Sequence, residues 1–183
     1  QKVFKKAKEL VPETNNMCYG GGVALNCVAN SLVVEKQYPN MWILPNPGDA
    51  GSSLGCAAYI GGQHINFDSA FLGYNIRGWT YPVKPVLKEL LKGNLVGVAN
   101  GRAEYGPRAL GNRSLLADPR GKDIKAQMNK IKNRQEFRPF APSVLEEHAH
   151  EIFDMPTKKS QFMQFTAPCK FPDKYPAICH IDN

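Results

Sequence analysis

The sequence predicts an α/β fold, and three observations carry that expectation. Short apolar runs with strand character alternate with longer segments whose apolar residues recur at helical spacing. Glycine-rich turns stand at the junctions. The 183 residues are 43% hydrophobic and 21% charged, the balance of a chain with a packed interior rather than a disordered one.

The elements follow in order. Residues 2–11 read as an amphipathic helix, with Val3, Phe4, Ala7 and Leu10 on one side and Pro12 as its stop. Met17-Cys18-Tyr19 is a short buried strand, followed at once by Gly20-Gly21-Gly22. Val23 to Glu35 reads as one helix, and Met41 to Leu44 as a second strand closed by Pro45 and Pro47. Gly48-Asp49-Ala50-Gly51 is a turn. Ser52 to Ile60 is a small-residue helix expected to pack tightly through Ala57 and Ala58, ending at Gly61-Gly62. Residues 61–81 lack any period and read as a linker. A second unit opens with a helix from Val83 to Lys92, ended by Gly93-Asn94, and a buried strand from Leu95 to Ala99. Residues 100–120 read as a long loop. Lys122 to Ile131 is a helix with Ile124, Met128 and Ile131 on its inner side. Ser143 to Leu145 is expected as a strand and Glu146 to Phe153 as a helix, before a proline-rich, loop-rich end.

Several classes are excluded at this level. No apolar run approaches the roughly 20 residues of a membrane helix. Gln1 to Glu9 carries four lysines and no apolar core, so a signal peptide is not expected. Without an initiator Met, and ending on Ile-Asp-Asn, the chain is expected to be part of a longer protein. The five cysteines (Cys18, Cys27, Cys56, Cys169, Cys179) lack Cys-x-x-Cys spacing and read as buried reduced thiols of a cytoplasmic protein. His148 and His150, two apart, read as helix-surface residues rather than metal ligands.

Charge is unevenly placed. The chain carries a net +7, yet Lys84 to Arg138 alone holds 13 basic against 5 acidic residues. Six of the seven arginines lie between Arg102 and Arg138. Charge alone is met by a solvated basic face. Arginine, however, is the residue whose planar fork matches phosphate and carboxylate oxygens.

Four stretches could carry chemistry. Gly20-Gly21-Gly22-Val-Ala-Leu-Asn26, between strand and helix, would let a phosphate or an adenosine edge approach the backbone, although many strand-to-helix turns hold glycine for structural reasons alone. Asp49, between Gly48 and Gly51, could reach a phosphate-bound metal, and the plainer reading is a helix cap. Gly101-Arg102-Ala-Glu104-Tyr105-Gly106-Pro107-Arg108-Ala-Leu-Gly111-Asn112-Arg113-Ser114, with Ala117-Asp118-Pro119-Arg120, places four arginines in one loop. Their mutual repulsion calls for an anion. Finally, Lys130-Ile-Lys132-Asn-Arg134-Gln-Glu136-Phe-Arg138-Pro139-Phe-Ala-Pro142-Ser143 sets Lys130, Lys132 and Arg134 on one face if the segment is extended. A lysine-guarded edge strand is the alternative.

Taken in order, Gly21-Gly-Val-Ala-Leu-Asn26, Gly48-Asp-Ala-Gly51, the arginine loop, and Lys132-Asn-Arg-Gln-Glu-Phe-Arg-Pro-Phe-Ala-Pro-Ser143 resemble the carbamoyltransferases of the nodulation and antibiotic-tailoring type. The resemblance implies the end of an actin-like ATPase (ASKHA) domain over residues 1–65, a linker over 66–81, and the opening of a YrdC-like α/β domain over 82–183. It implies an O-carbamoyltransferase that makes carbamoyl-adenylate from carbamoyl phosphate and ATP and passes the carbamoyl group to the hydroxyl of a small-molecule acceptor. Lys132, Arg134 and Arg108 would be catalytic, the Lys132-x-Arg134 pair resembling the YrdC signature. Arg102, Arg113, Arg138 and Ser143 would bind the carbamoyl phosphate and nucleotide phosphates, and Gly21, Gly22 and Asn26 a nucleotide. Asp49 would be a carboxylate ligand of a divalent metal, Fe or Mg. The family's paired histidine ligands are absent from this chain and would lie upstream. Little or no turnover is therefore expected of the chain alone, with weak anion binding at most.

A threonylcarbamoyl-adenylate-type synthase for tRNA modification would share the YrdC-like chemistry but leaves the Gly-Asp-Ala-Gly half without a role. A nucleic-acid-binding module would use the basic segment, yet stacking aromatics are sparse there (Tyr105, Phe137, Phe140) and Glu104 and Glu136 interrupt it. No membrane partner is expected, and a homodimer is an open expectation.

Overall fold

The computed structural model describes residues 2–67, 69–77 and 80–180. Among these residues it is a mixed α/β chain with short helices and three two-stranded sheets. Asp68, Gly78 and Trp79 of the expected linker, and residues 181–183 of the expected second part, lie outside the described residues. No helix is long and apolar enough to cross a membrane among those described. The chain divides into two compact units. One comprises Gln1–Leu72, Tyr105–Arg108 and Met155–Ala167, and the other Gly73–Glu104, Ala109–Asp154 and Pro168–Asn183.

The first unit is built on a β-α-β crossover. Strands β1 (Asn16–Tyr19) and β2 (Asn40–Ile43) pair in parallel, with Asn16 opposite Asn40 and Tyr19 opposite Ile43. A parallel pair requires a crossover, and helix α2 (Cys27–Lys36) supplies it. The single helix expected from Val23 to Glu35 is broken: Gly22–Leu25 is a 3₁₀ turn, and α2 starts only after Asn26. Asn26 causes the break by capping, its side-chain oxygen accepting from the Ala29 N–H at 3.0 Å. Ala24, Val33, Val34, Tyr38, Ile43 and Ala70 form the buried apolar set of this unit. Two buried polar residues of α2 bind the segment Met155–Ala167. Asn30 Nδ2 donates to Gln164 O at 3.0 Å, and Ser31 Oγ to Thr166 O at 2.9 Å. Helix α1 (Lys2–Leu10) leans on this body through Phe4, edge-on to Tyr19 at 5.0 Å.

Helix α3 (Ser52–Gly61) ends where Gly62 turns left-handed at φ 59°. The tight packing expected of it is not found. None of its residues is buried, and Tyr59 and Ile60 are 89% and 85% exposed. Small residues permit close packing, but Ala57 is exposed and Ala58 only half-buried. The cysteine reading is corrected in the same way. All five are free, but Cys18 and Cys56 are exposed and the other three only half-buried.

In the second unit, β3 (Asn75–Ile76) pairs antiparallel with β5 (Gly101–Arg102), and β4 (Val96–Ala99) with β6 (Arg113–Leu116). Residues 100–120 are thus not one long loop. The Arg-Ser-Leu-Leu run of β6 finds its partner across a chain reversal that local sequence does not announce. Helix α4 (Val83–Leu91) precedes β4, and helix α5 (Ile124–Ile131) follows β6. The core gathers Ile124, Met128 and Ala177, with Leu95, Leu115, Ala117 and Phe140 packed against them. The expected inner face of α5 is rotated, since Asn129 is 0% exposed while Ile131 is 58% exposed. No strand forms at 143–145, and the expected 146–153 helix is a 3₁₀ turn (Glu146–His148) joined to the short α6 (Ala149–Ile152).

Candidate functional site

In the first unit, a crevice of about 500 Å³ opens beside the carboxyl ends of β1 and β2, walled by Tyr19, Trp42, Leu54 and Phe67. Ligands of parallel α/β units are commonly received at strand carboxyl ends. Gly21 lines the crevice at φ 92°, a conformation side chains rarely adopt, and its N–H donates to Pro47 O at 2.7 Å. Gly22 opens the 3₁₀ turn behind it. Asp49 is exposed at the start of the turn Asp49–Gly51. It does not cap the following helix, whose cap position is Gly51. No group of three His, Cys, Asp or Glu side chains able to hold a metal gathers among the described residues. Asp49 is thus not part of such a group among those residues.

The tetrapeptide Tyr105–Arg108, from the middle of the arginine loop, belongs to this first unit. Tyr105 Oη donates to Gly51 O at 3.1 Å, and Arg108 Nη2 to Leu25 O at 3.1 Å. Gly106 sits at φ 127°, where an added Cβ would lie 2.9 Å from Pro45 O and 3.2 Å from Asn46 Cβ. Gly106→Ala is expected to lower stability by about 2 kcal/mol in urea unfolding, from strain and crowding together.

The remainder of that loop lies in the second unit, and Glu104 organises it. Its Oε1 accepts from the backbone N–H of Leu110 at 2.8 Å, Asn112 at 2.8 Å and Arg113 at 3.1 Å. Burial pushes this carboxyl up, but the N–H groups of Leu110, Glu104 itself, Asn112 and Arg113 outweigh it and hold the group below its ordinary value. Arg113 is spent on backbone. Nη1 donates to Asn100 O at 2.8 Å and Asn112 O at 2.7 Å, and Nη2 to Tyr74 O at 3.1 Å and Gly101 O at 3.2 Å. Arg120 pairs with Asp118. Arg102 is exposed on β5. The repulsion that seemed to require an anion is thus relieved in part by carbonyl dipoles and a carboxylate.

The Lys-x-Arg segment is not extended. Lys130 lies in the last turn of α5, Lys132 follows it still in helical conformation, and Asn133 turns left-handed at φ 47°. The chain then curls into a loop around an open cavity of about 480 Å³, lined by Asn133, Arg134, Gln135, Glu136 and Arg138. The loop brings Arg134 and Arg138 together. Arg134 Nε donates to Asn129 Oδ1 at 2.5 Å and Nη2 to Pro139 O at 3.2 Å, with the guanidinium 4.4 Å from the Phe140 ring centre. Burial lowers the pKa of this guanidinium, and the charge of Arg138 lowers it further. Lys132 and Arg138 are exposed, as is Ser143 beyond the cavity lining.

Sequence reasoning missed Asn129, which touches Arg134 directly. A polar residue next to Met128 on the inner side of α5 was its only signal.

The family model described as "Carbamoyltransferase C-terminus" matches residues 87–183, more than half of the chain. The chain belongs to the carbamoyltransferase family. A second model, "Carbamoyltransferase N-terminus", matches residues 1–58. Gly21, Gly22, Asn26 and Asp49 fall in the N-terminal match, and every candidate arginine falls in the C-terminal one. Tyr105–Arg108, although inside the C-terminal match, folds with the first unit. An "uncharacterized protein" of Synechocystis sp. is 39% identical, the alignment covering 92% of this chain and 36% of that protein. "Nodulation protein U" of Sinorhizobium fredii is 35% identical over 94% of this chain and 34% of its own length. "Nodulation protein NolO" of Bradyrhizobium diazoefficiens is 32% identical over 91% and 36%. The chain thus spans about a third of the length of these relatives.

Proposed function

We propose that this chain is the part of an O-carbamoyltransferase that holds carbamoyl phosphate and the nucleotide phosphates. The observation that carries the reading is the Arg134–Arg138 loop. Two guanidinium groups line one open cavity, and neither forms an ion pair with a carboxylate among the described residues. A dianion would relieve their repulsion and gain charge-assisted hydrogen bonds. Lys132, two residues before Arg134, is exposed outside the cavity lining and is offered as a third cation.

The fuller reading has an actin-like ATPase part over the first 65 residues and a YrdC-like part from residue 82. Carbamoyl phosphate gives up its phosphate to water, the carbamate attacks the α-phosphorus of ATP to form carbamoyl-adenylate with release of pyrophosphate, and the carbamoyl group passes to the hydroxyl of a small-molecule acceptor with release of AMP. Cations fixed before reaction stabilise charge building at the α-phosphate without reorganising. The family membership supports a carbamoyl donor and a hydroxyl acceptor. The glycine turns beside β1 and β2 are offered to a nucleotide, with Asp49 contributing one ligand to a divalent metal, Fe or Mg. A cytoplasmic location and a homodimer complete the reading.

Calorimetric titration with carbamoyl phosphate tests it. Saturable binding is expected in wild type, weakened about tenfold by Arg138→Ala. Arg113→Lys, at a guanidinium already committed to carbonyls, should leave the affinity within about twofold of wild type. Equal binding by wild type and Arg138→Ala would overturn the assignment of the loop.

A further inference from the structure

From the geometry beneath this loop, we infer that Asn129 is the positioning residue of the anion site, acting through Arg134. The inference rests on the reading of the loop given above and adds to it a residue that no motif singled out.

Asn129 is 0% exposed, among the most deeply buried polar side chains of the chain. A buried carboxamide must satisfy two donors and an acceptor, and this one does so entirely with the cationic loop. Its Nδ2 donates to Glu136 O at 3.0 Å and to Arg138 O at 3.2 Å, while Oδ1 accepts from Arg134 Nε. The main chain repeats the connection, Arg134 N donating to Asn129 O at 3.1 Å. The carboxamide has only one workable orientation. Turned over, it would face two carbonyls with its oxygen and the Nε–H of Arg134 with its own N–H groups.

The consequence concerns the guanidinium rather than the fold alone. Asn129 takes Nε, Pro139 O takes Nη2, and the guanidinium carbon lies over the Phe140 ring. Nη1 is left for a ligand. The bond to Arg138 is to its main-chain carbonyl and leaves the exposed Arg138 guanidinium unheld, so Asn129 acts on the site through Arg134. A guanidinium held in this way loses little rotamer freedom when an anion arrives, which raises affinity without adding a contact.

No other polar group at this loop offers the same explanation. His180 also reaches the segment, through Phe140 N and O at 3.3 Å, but touches neither guanidinium. Glu136 lines the cavity and contributes its carbonyl to Asn129, its carboxylate carrying the wrong sign for an anion.

The test uses the full chain as wild type, Asn129→Ala, Arg134→Ala and the double variant. Inorganic phosphate and carbamoyl phosphate are the titrants, and the Arg134 Nε–H resonance is followed by NMR. Asn129→Ala is expected to weaken both anions about tenfold and to abolish the slowly exchanging Nε–H signal. In the Arg134→Ala background it should cause no further loss of binding, whereas a purely structural role would weaken binding equally in both backgrounds. Equal loss in both, or an unchanged Nε–H signal, would overturn the inference. If Asn129→Ala does not fold, Arg134→Lys reads the same bond from the surface side. It keeps the charge, lacks the Nε–H partner, and is expected to bind carbamoyl phosphate about tenfold more weakly, with wild-type affinity overturning the inference. If wild type binds neither anion, the anion reading falls. The Nε–H signal alone then decides whether Asn129 holds Arg134.

Discussion

Replacing Gly51 by alanine should destabilise the first unit by about 3 to 5 kcal/mol. The backbone of Gly51 is ordinary, with φ −74° and ψ −19°, so alanine meets no local conformational objection. The obstacle is spatial. A Cβ built there would lie 1.7 Å from Asn46 O and 2.9 Å from its carbonyl carbon. Both are backbone atoms, so no rotamer change relieves the clash, and the turn 46–51 must move as a whole. That movement would also disturb the carbonyl of Gly51, which accepts from Tyr105 Oη. Gly55, four residues on, is the internal control, because nothing lies within 4 Å of a Cβ there. Gly55→Ala should gain up to about 1 kcal/mol from helix propensity alone. Urea unfolding of the two variants beside wild type measures the contrast. Similar midpoints for both would mean that the close approach of Asn46 does not exist in solution.

Removing the Glu104 side chain is the second large effect. Glu104→Ala should cost the second unit about 3 kcal/mol, since three backbone N–H groups lose a charged acceptor in a half-buried loop. Glu104→Gln keeps the shape and a neutral oxygen, and should cost about half of that. The pH dependence has a defined sign. The folded carboxyl titrates below its ordinary value, so near and below the unfolded glutamate value of about 4.3 the unfolded chain binds more protons. The contribution is therefore complete above that pH and is lost as pH falls through the folded value. Asp118, held low chiefly by its hydrogen bond from Arg120, acts in the same direction. The measurement is thus the difference between wild type and Glu104→Gln in urea unfolding from pH 6 to pH 3. The gap should close as the pH falls. A constant gap would show that the charge of Glu104 is not what holds Leu110, Asn112 and Arg113.

Both effects bear on how much of the chain was legible in its sequence. The strands at 17–19, 41–44 and 95–99 were readable because each is a short apolar run bounded by glycine or proline. The helices α1, α4 and α5 were readable from spacing, within a residue or two at their ends. The break at Asn26 was missed because an asparagine within an apolar helical pattern does not declare that it will cap. The strand β6 was missed because its partner lies across a reversal of the chain, and four residues of mixed character have no period to show.

The candidate site divides along the same line. The sequence showed that residues 102–138 concentrate arginine, and the family match agrees in placing that segment within a carbamoyltransferase C-terminus. It did not show what each guanidinium meets. Arg113 meets four carbonyls, Arg120 meets Asp118, Arg108 meets the carbonyl of Leu25, 83 residues earlier, and Arg134 and Arg138 line the open cavity.

Neighbouring residues alone decided the alternation of strand, turn and helix, because backbone propensity, capping and side-chain period act over a few residues. Tertiary structure decided which side of α5 faces inward, why Gly51 must lack a side chain, and which arginines are taken up by carbonyls and a carboxylate. Each of these depends on atoms the fold brings close from elsewhere in the chain, and the short-range forces of packing and hydrogen bonding act only once they are there.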